Sequence, residues 1–121
     1  MRSPAPSESR PAVESNPEAD ALRRFLAALR PLLREHCACS AWIVGSHARG
    51  TAGPESDIDA IVVAPTRRPS VERFRDYLPA ILAAGVGVDL FVYKPAEFEH
   101  LRREGRPFLR HAMQSAIAVE V

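Results

Sequence analysis

The sequence predicts a small α/β domain in which helices cover a sheet. The chain has 121 residues, which is the usual length of a single domain. Its content of 46% hydrophobic and 26% charged residues is that of an ordinary globular protein. Amphipathic helical patterns alternate along the chain with short runs of β-branched and aromatic residues. This alternation is typical of helices packed against a sheet.

The overall charge and the cysteines restrict the class of protein. A formal net charge of +1 provides no general attraction to nucleic acid or to a membrane, so neither partner is expected. The N-terminus lacks the apolar centre of a signal peptide, and no apolar run reaches the roughly 20 residues of a membrane span. Cys37 and Cys39 are too few for a disulfide framework, and we interpret them as small buried residues rather than as metal ligands with His36. These features predict a cytoplasmic protein.

The first element to expect is a helix that follows a disordered tail. Residues 1–15 combine several prolines and serines with charges of both signs, a composition that predicts disorder. Order should begin at Asn16 and Pro17, an N-cap residue and a proline at the first helical position, so the domain is expected to span residues 16–121. Pro31 should bend or split the helix. Its apolar positions recur at helical spacing and predict a face packed on the core: Leu22, Phe25, Leu26, Leu29, Leu32 and Leu33.

Three runs are predicted to be strands. Residues 40–45 are β-branched and aromatic and end at a glycine, and residues 86–93 are apolar except for Asp89. Residues 56–64 should form the strand between them in sequence. Because side chains alternate along a strand, this run has two distinct faces. One face carries Asp57, Asp59, Ile61 and Val63, and the other carries Ile58, Ala60 and Val62.

The remaining elements are helices and a final short strand. A helix is predicted from about Ser70 to Ala84, with Pro79 as a kink and Gly85 as its end. Residues 95–105 and 106–115 should be helical, and residues 116–121 are predicted as an edge strand. The expected apolar face of the helix that begins near Ser70 consists of Phe74, Tyr77, Leu78, Ile81 and Leu82.

The carboxylates of the strands indicate a site. Asp57 and Asp59 project from one face of a strand, and Asp89 lies in an apolar run of the next strand in sequence. Two carboxylates about 4 Å apart repel each other by roughly 4 kcal/mol at an effective dielectric of 20. Basic partners, a shared proton or a divalent cation must offset this repulsion. Carboxylate oxygens are ligands that magnesium prefers. A pair of magnesium ions can stabilise both the attacking and the leaving oxygen in a phosphoryl displacement.

A glycine–serine turn close to these acids suggests a phosphate-binding element. Gly45 and Ser46 directly follow a predicted strand and should lead into a short helical segment. Glycine lets the backbone approach a phosphate closely, the Ser46 hydroxyl is a donor, and Arg49 offers a fork of donors. Considered alone, the Gly-Ser pair would be read as an ordinary turn, the aspartates as solvated acids and Arg49 as an exposed side chain. Their joint order favours a phosphate turn beside a metal site.

The segment VGSHARGTAGPESDIDAIVV, followed by VDLFVY, resembles the core of the DNA polymerase β-like nucleotidyltransferase superfamily. The shared pattern is Gly-Ser, about ten residues, Asp-x-Asp, and a third carboxylate on a later strand. The short chain is most similar to the minimal nucleotidyltransferases. This resemblance implies the nucleotidyltransferase fold, with a mixed sheet flanked by helices.

The resemblance also implies roles for individual residues. Asp57 and Asp59 would bind two Mg²⁺ ions, while Asp89 would complete one metal site and help to deprotonate the acceptor hydroxyl. Gly45 and Ser46 would bind the β- and γ-phosphates of a nucleoside triphosphate. Arg49 would assist in holding the triphosphate. The four histidines, His36, His47, His100 and His111, are interpreted as surface or packing residues.

The function implied by the resemblance is magnesium-dependent transfer of a nucleoside monophosphate, most simply AMP from ATP, to a hydroxyl. The acceptor would be a partner protein, and the chain would act as the antitoxin of a module whose toxin is a HEPN ribonuclease. Because 121 residues leave no room for a separate acceptor-binding domain, the acceptor surface is expected from a partner or from a second copy of the chain. Two alternatives stay open at this point. The chain could be a non-catalytic antitoxin that acts by contact, or a nucleotidyltransferase for a small molecule of the aminoglycoside type.

Overall fold

The structure, a computed structural model, describes residues 17–121. The predicted tail of residues 1–15 and the predicted cap at Asn16 lie outside this range. The described part contains five α-helices, one 3₁₀-helix and four strands. In chain order they are α1 (Pro17–Glu35), β1 (Ser40–Val44), α2 (Gly45–Arg49), β2 (Ile58–Val63), the 3₁₀-helix (Ser70–Tyr77), α3 (Leu78–Ala84), β3 (Val88–Tyr93), α4 (Pro95–Glu104), α5 (Pro107–Met113) and β4 (Ile117–Ala118).

The four strands form one mixed sheet in the order β3-β2-β1-β4. Strand β1 is antiparallel to both β2 and β4, whereas β2 and β3 are parallel. The predicted mixed sheet and the predicted terminal edge strand are therefore confirmed, although β4 has only two residues. In this register Asp59 stands opposite Val44 on β1 and opposite Asp89 on β3. The sheet thus aligns the end of β1 with two acidic positions.

The two faces of the sheet carry two apolar cores, as the alternation in β2 predicts. Ile58, Ala60 and Val62 belong to the core that contains the buried residues of α1 and α3. Ile61 and Val63 belong to the other core, which is closed by residues of α4 and α5. Since side chains alternate along a strand, Asp59 projects from the α4–α5 face.

Helix α1 packs on the sheet through the predicted apolar face, where Phe25, Leu29 and Leu33 are fully buried. Burial of side chains of this size contributes about 1.5–3 kcal/mol each. The helix continues through Pro31, so of the two predicted effects of this proline, a bend or a split, the split is wrong. Pro31 is exposed, and the carbonyl that lacks its donor belongs to the exposed Ala27, which water can reach. Among the helices of residues 17–121, none is long and apolar enough to cross a membrane.

The predicted helix of residues 70–84 is divided into the 3₁₀-helix and α3, with Pro79 in the first turn of α3. Pro79 thus marks the predicted division, but the predicted apolar face is wrong. Tyr77 is buried, whereas Leu82 is 73% exposed, and Phe74 and Leu78 are also exposed. A 3₁₀-helix has 3.0 residues per turn instead of 3.6, so the face that meets the core shifts along the segment. Ala80 and Ala84 take the buried positions in α3.

A buried arginine joins three elements of the fold. Arg73, in the 3₁₀-helix, is 6% exposed and donates two hydrogen bonds to Glu97 of α4, at 2.7 and 3.1 Å. It also donates to the carbonyls of Val92 on β3, at 3.1 Å, and of Arg68, at 3.2 Å. A buried charge is tolerated when it is paired and its donors are satisfied, and Arg73 meets both conditions.

The prediction that the cysteines are buried is wrong. Cys37 and Cys39 are both free thiols and both exposed. They lie in the short connection between α1 and β1, where no element covers them. Cys37 has a φ of 57°, which is consistent with the sharp turn that ends α1.

Candidate functional site

Two carboxyl groups meet across the parallel strands β2 and β3. Asp59 and Asp89 are paired in register, and both side chains project from the α4–α5 face. Burial raises the pKa of Asp59, and the charge of Asp89 together with a hydrogen bond between the two side chains raises it further. The charge of Asp57 acts in the same direction, and His47 opposes it. The fold therefore favours a proton or another positive charge between these acids.

Direct ion pairs within the described residues do not supply that positive charge. Within residues 17–121, the ion pairs involve other acids, and none includes Asp57, Asp59 or Asp89. Of the three ways to offset the repulsion between clustered carboxylates, the described structure leaves a shared proton or a bound cation.

The turn after β1 lies directly against this pair of acids. Gly45 has a φ of +73°, a conformation that favours glycine. A Cβ atom at this position would also overlap the carboxyl group of Asp59. Both the backbone and the contact therefore require glycine, and the predicted phosphate turn and the predicted metal site are adjacent in space.

A cavity of about 400 Å³ opens beside the turn and the acids. Its wall includes five of the six predicted site residues, namely Gly45, Ser46, Arg49, Asp59 and Asp89. Arg49 reaches the wall from the end of α2. The rest of the wall comes from Val44, Phe91, and the α5 residues Phe108, His111 and Ala112. The predicted convergence of the turn, the arginine and two of the acids is thus present in the geometry.

Asp57 occupies a different position from the other two acids. It is exposed, it precedes the first paired residue of β2, and it does not line the cavity. Its carboxylate lies against the backbone of Gly87, whose carbonyl accepts a hydrogen bond from the Ile58 N–H at 2.9 Å. Asp57 is nonetheless close enough for its charge to raise the pKa of Asp59. In the part of the chain that the structure describes, no three His, Cys, Asp or Glu side chains form a ready metal-binding group.

Five residues of the cavity wall were not predicted from the sequence, namely Val44, Phe91, Phe108, His111 and Ala112. Phe91 follows Asp89 by two positions in a strand, so the alternation of side chains could have identified it. Phe108 and His111 come from α5, and no local pattern connects that helix with the acids. His111, interpreted from the sequence as a surface or packing residue, is exposed and lines the cavity. Two other histidines behave as expected, since His36 packs against the Tyr77 ring and His100 pairs with Glu104.

Comparison with known proteins agrees with this geometry. A family model described as a nucleotidyltransferase domain matches residues 22–107. A solved structure assigned provisionally to the minimal nucleotidyltransferases is 27% identical, with a TM-score of 0.56, and the match covers 79% of this chain and 90% of that one. The fold is also similar to a toxin–antitoxin structure with AMP-PNP, at 21% identity and a TM-score of 0.59, covering 78% of this chain and 72% of that one.

A toxin–antitoxin structure named MntA–HpeT has the same fold at 18% identity, with a TM-score of 0.57 and the same two shares of coverage, 78% and 72%. A search of curated proteins gave no match.

Proposed function

The chain belongs to the nucleotidyltransferase domain family, and from this premise we propose that it transfers a nucleoside monophosphate, AMP, from ATP to a hydroxyl group in a magnesium-dependent reaction. One observation carries the proposal. Asp59 and Asp89 face each other on the wall of a cavity that also contains the glycine–serine turn, and no ion pair within residues 17–121 includes either acid. Two carboxylates held this close repel each other, and a bound cation offsets that repulsion.

The donor set of the site fits magnesium. Carboxylate oxygens are the ligands that Mg²⁺ prefers, and it commonly takes one or two of them together with substrate phosphates and water. Asp59 and Asp89, with Asp57 close enough for its charge to act on Asp59, would hold the two ions of the proposed reaction. When bound, they neutralise the acids and draw electron density from the phosphate oxygens.

The residues of the chain itself bind and orient the substrates. The backbone at Gly45 and the hydroxyl of Ser46 bind the β- and γ-phosphates, and the guanidinium of Arg49 donates to the same part of the triphosphate. The acceptor oxygen attacks the α-phosphorus, the bond from that phosphorus to the bridging oxygen breaks, and pyrophosphate leaves. Asp89 takes the proton of the attacking hydroxyl. Because the acids and the turn are fixed on strands, the reacting groups are positioned before substrate binds.

The acceptor in this proposal is a protein, a toxin of the HEPN type, and the chain is its antitoxin. The proteins of two similar structures are named as toxin–antitoxin assemblies, which supports this assignment. The cavity is also open to solvent beside Asp89, so a hydroxyl on a second protein can approach the acid that would take its proton.

The proposal is tested by incubation of the protein with ATP labelled at the α-phosphate, Mg²⁺ and the protein encoded by the neighbouring gene. We expect label on the neighbour with the wild type, none with Asp59→Asn, and wild-type labelling with Glu55→Gln, which changes a nearby exposed acid in the same way. Labelling that persists in Asp59→Asn, or that is absent in the wild type, would contradict protein adenylylation.

The same experiment separates the two alternatives. If Asp59→Asn neutralises the toxic neighbour as well as the wild type does, the chain acts by contact. If label appears on an added aminoglycoside and not on protein, the substrate is a small molecule.

A further inference from the structure

The wall of the cavity contains an aromatic pair that the proposed chemistry does not use. The ring centroids of Phe91 and Phe108 lie 5.0 Å apart with a tilt of 57°. Phe91 is fixed on β3, two residues after Asp89 and about 6.5 Å further along the same face. Phe108 is on α5 and remains 49% exposed although it lines the cavity. An aromatic side chain that is supported on one side and open on the other offers contact area to a flat ligand.

The parts of the cavity follow one another across the sheet. Gly45 and Ser46 lie at the end of β1, Asp59 is on the neighbouring strand β2, and Asp89 is on β3 at the edge of the sheet. The aromatic pair adjoins the acids, with Phe91 two residues further along β3 than Asp89 and Phe108 packed against it from α5. The order is therefore phosphate turn, carboxylates and aromatic rings. In a nucleoside triphosphate, the corresponding order is terminal phosphates, reacting α-phosphate and base, with one ribose between the last two.

We propose that Phe108, supported by Phe91, is the stacking surface for the base of the nucleoside triphosphate, and that this surface accepts all bases while favouring purines. The inference rests on the proposed function, because it assigns the base end of the substrate whose phosphates that function places at Gly45 and Ser46. Every base has a π-face, so stacking is tolerant of sequence, and the larger purines gain more contact.

Phe108→Ala tests the assignment when two probes are compared. The probes are AMP-PNP, which has a base, and inorganic tripolyphosphate, which has only the phosphates. Titration calorimetry of the full chain with Mg²⁺ should show that Phe108→Ala weakens AMP-PNP binding by about 5- to 150-fold, the range of a lost stacking contact. The affinity for tripolyphosphate should change less than about twofold, since the proposed function places the phosphates at Gly45 and Ser46 and not at the aromatic pair. Phe108→Tyr should retain the affinity for AMP-PNP, and wild type should bind ATP and GTP more tightly than CTP.

The matched control is Phe74→Ala, which removes a phenylalanine that is 40% exposed on the 3₁₀-helix and does not line the cavity. It should leave both affinities unchanged. Phe108→Leu keeps an apolar side chain without a ring, and its AMP-PNP affinity should fall in the same direction as that of Phe108→Ala. This second variant keeps the test valid if alanine disturbs α5.

Three results would overturn the inference. An equal loss for both probes would show that Phe108 supports the phosphate end. Unchanged affinities, with a raised KM for the acceptor, would assign the ring to the acceptor instead. If the wild type binds tripolyphosphate and not AMP-PNP, the assignment of the base site is wrong, whereas the assignment of the phosphate site stands. By contrast, a wild type that binds neither probe would overturn the proposed function together with the inference.

Discussion

Asp59 on β2 and Asp89 on β3 occupy the same register position of a parallel strand pair, and their carboxyl groups interact directly. Burial, the neighbouring charge and the hydrogen bond between them together raise the pKa of Asp59. The unfolded chain does not hold these groups together, so the metal-free folded protein binds a proton at this place more tightly than the unfolded chain does.

The raised pKa of Asp59 predicts that its charge destabilises the metal-free fold. A carboxyl group whose pKa rises on folding contributes stability below its unfolded pKa, and that contribution is lost as the pH rises through the folded pKa. Asp59→Asn cannot ionise. We expect it to raise the melting temperature by a few degrees at neutral pH and to have little effect near pH 3, in thermal unfolding followed by circular dichroism with a chelator present. Glu55→Gln is the control, and a variant that melts below the wild type at neutral pH would refute the prediction.

Magnesium should stabilise the wild type through the same acids. A ligand that binds only the folded state at about 100 times its dissociation constant adds about 2.7 kcal/mol to the free energy of unfolding. Titration with MgCl₂ should raise the melting temperature of the wild type, and EDTA should reverse the rise. The double variant Asp59→Asn/Asp89→Asn should not respond. A response of equal size in this variant would place the cation elsewhere.

Two glycines provide a matched test of the turn at the acids. Gly45 and Gly50 have φ values of +73° and +76°, so alanine costs about 1–2 kcal/mol in backbone strain at either position. A Cβ at Gly50 meets no atom within 4 Å, whereas one at Gly45 overlaps Asp59. We expect Gly45→Ala to destabilise the protein more than Gly50→Ala in urea unfolding, and to weaken tripolyphosphate binding by at least tenfold. Equal effects of both substitutions would show that the contact with Asp59 is unimportant.

The buried Arg73 should contribute strongly to stability. Its removal takes away both of the Arg73 hydrogen bonds to Glu97, which keeps only the bond from the Lys94 N–H, and the Arg73 donors to two carbonyls; loss of one partner of a buried pair costs about 3–5 kcal/mol. Glu97 is 40% exposed in its side chain, so solvent screens its part of the pair. Urea unfolding at neutral pH should therefore show a larger loss for Arg73→Ala than for Glu97→Gln. The reverse order would contradict the prediction.

The contribution of the Arg73–Glu97 pair to the stability of the fold depends on pH with the opposite sign to that of Asp59. The hydrogen bond from Arg73 lowers the pKa of Glu97. The pair therefore contributes stability above the unfolded pKa of Glu97, and this contribution is lost as the pH falls through the folded pKa. The difference between wild type and Glu97→Gln should be present at pH 7 and shrink in acid. A difference that grows as the pH falls would show that the carboxylate is not the stabilising form.

The strands and their faces could be predicted because alternation is a local property. The pattern from Asp57 to Val63 needed no knowledge of distant residues, and it assigned each position of β2 to the correct core. The face of the segment from Ser70 to Ala84 could not be predicted in the same way. Its first half is a 3₁₀-helix, and the choice between 3.0 and 3.6 residues per turn depends on packing that a helical pattern does not encode.

The acids and the turn were predictable as a group, but the part of the cavity wall that α5 contributes was not. The order of glycine, serine and carboxylates in the sequence restricted where they could meet. The contribution of Phe108 and His111 depends on how α5 returns over the sheet, and this follows from packing between elements far apart in sequence. The exposure of the cysteines is a similar case, because hydrophobic character alone does not show whether a neighbour exists to cover them.

Because Gly45 and Asp59 are in contact, substitutions at these two positions should depend on each other during evolution. While the acid is present, any larger residue at position 45 meets both an unfavourable backbone angle and an occupied space. Once the acid is replaced by a smaller side chain, the overlap with the carboxyl group is gone, and an alanine at position 45 meets only the backbone angle and a tight approach of 3.3 Å to the Cβ of residue 59. In a lineage that gives up catalysis, substitution at position 59 should therefore come first and substitution at position 45 should follow. A glycine retained at position 45 beside a lost acid would mark a recent loss, whereas replacement of both would mark an old one.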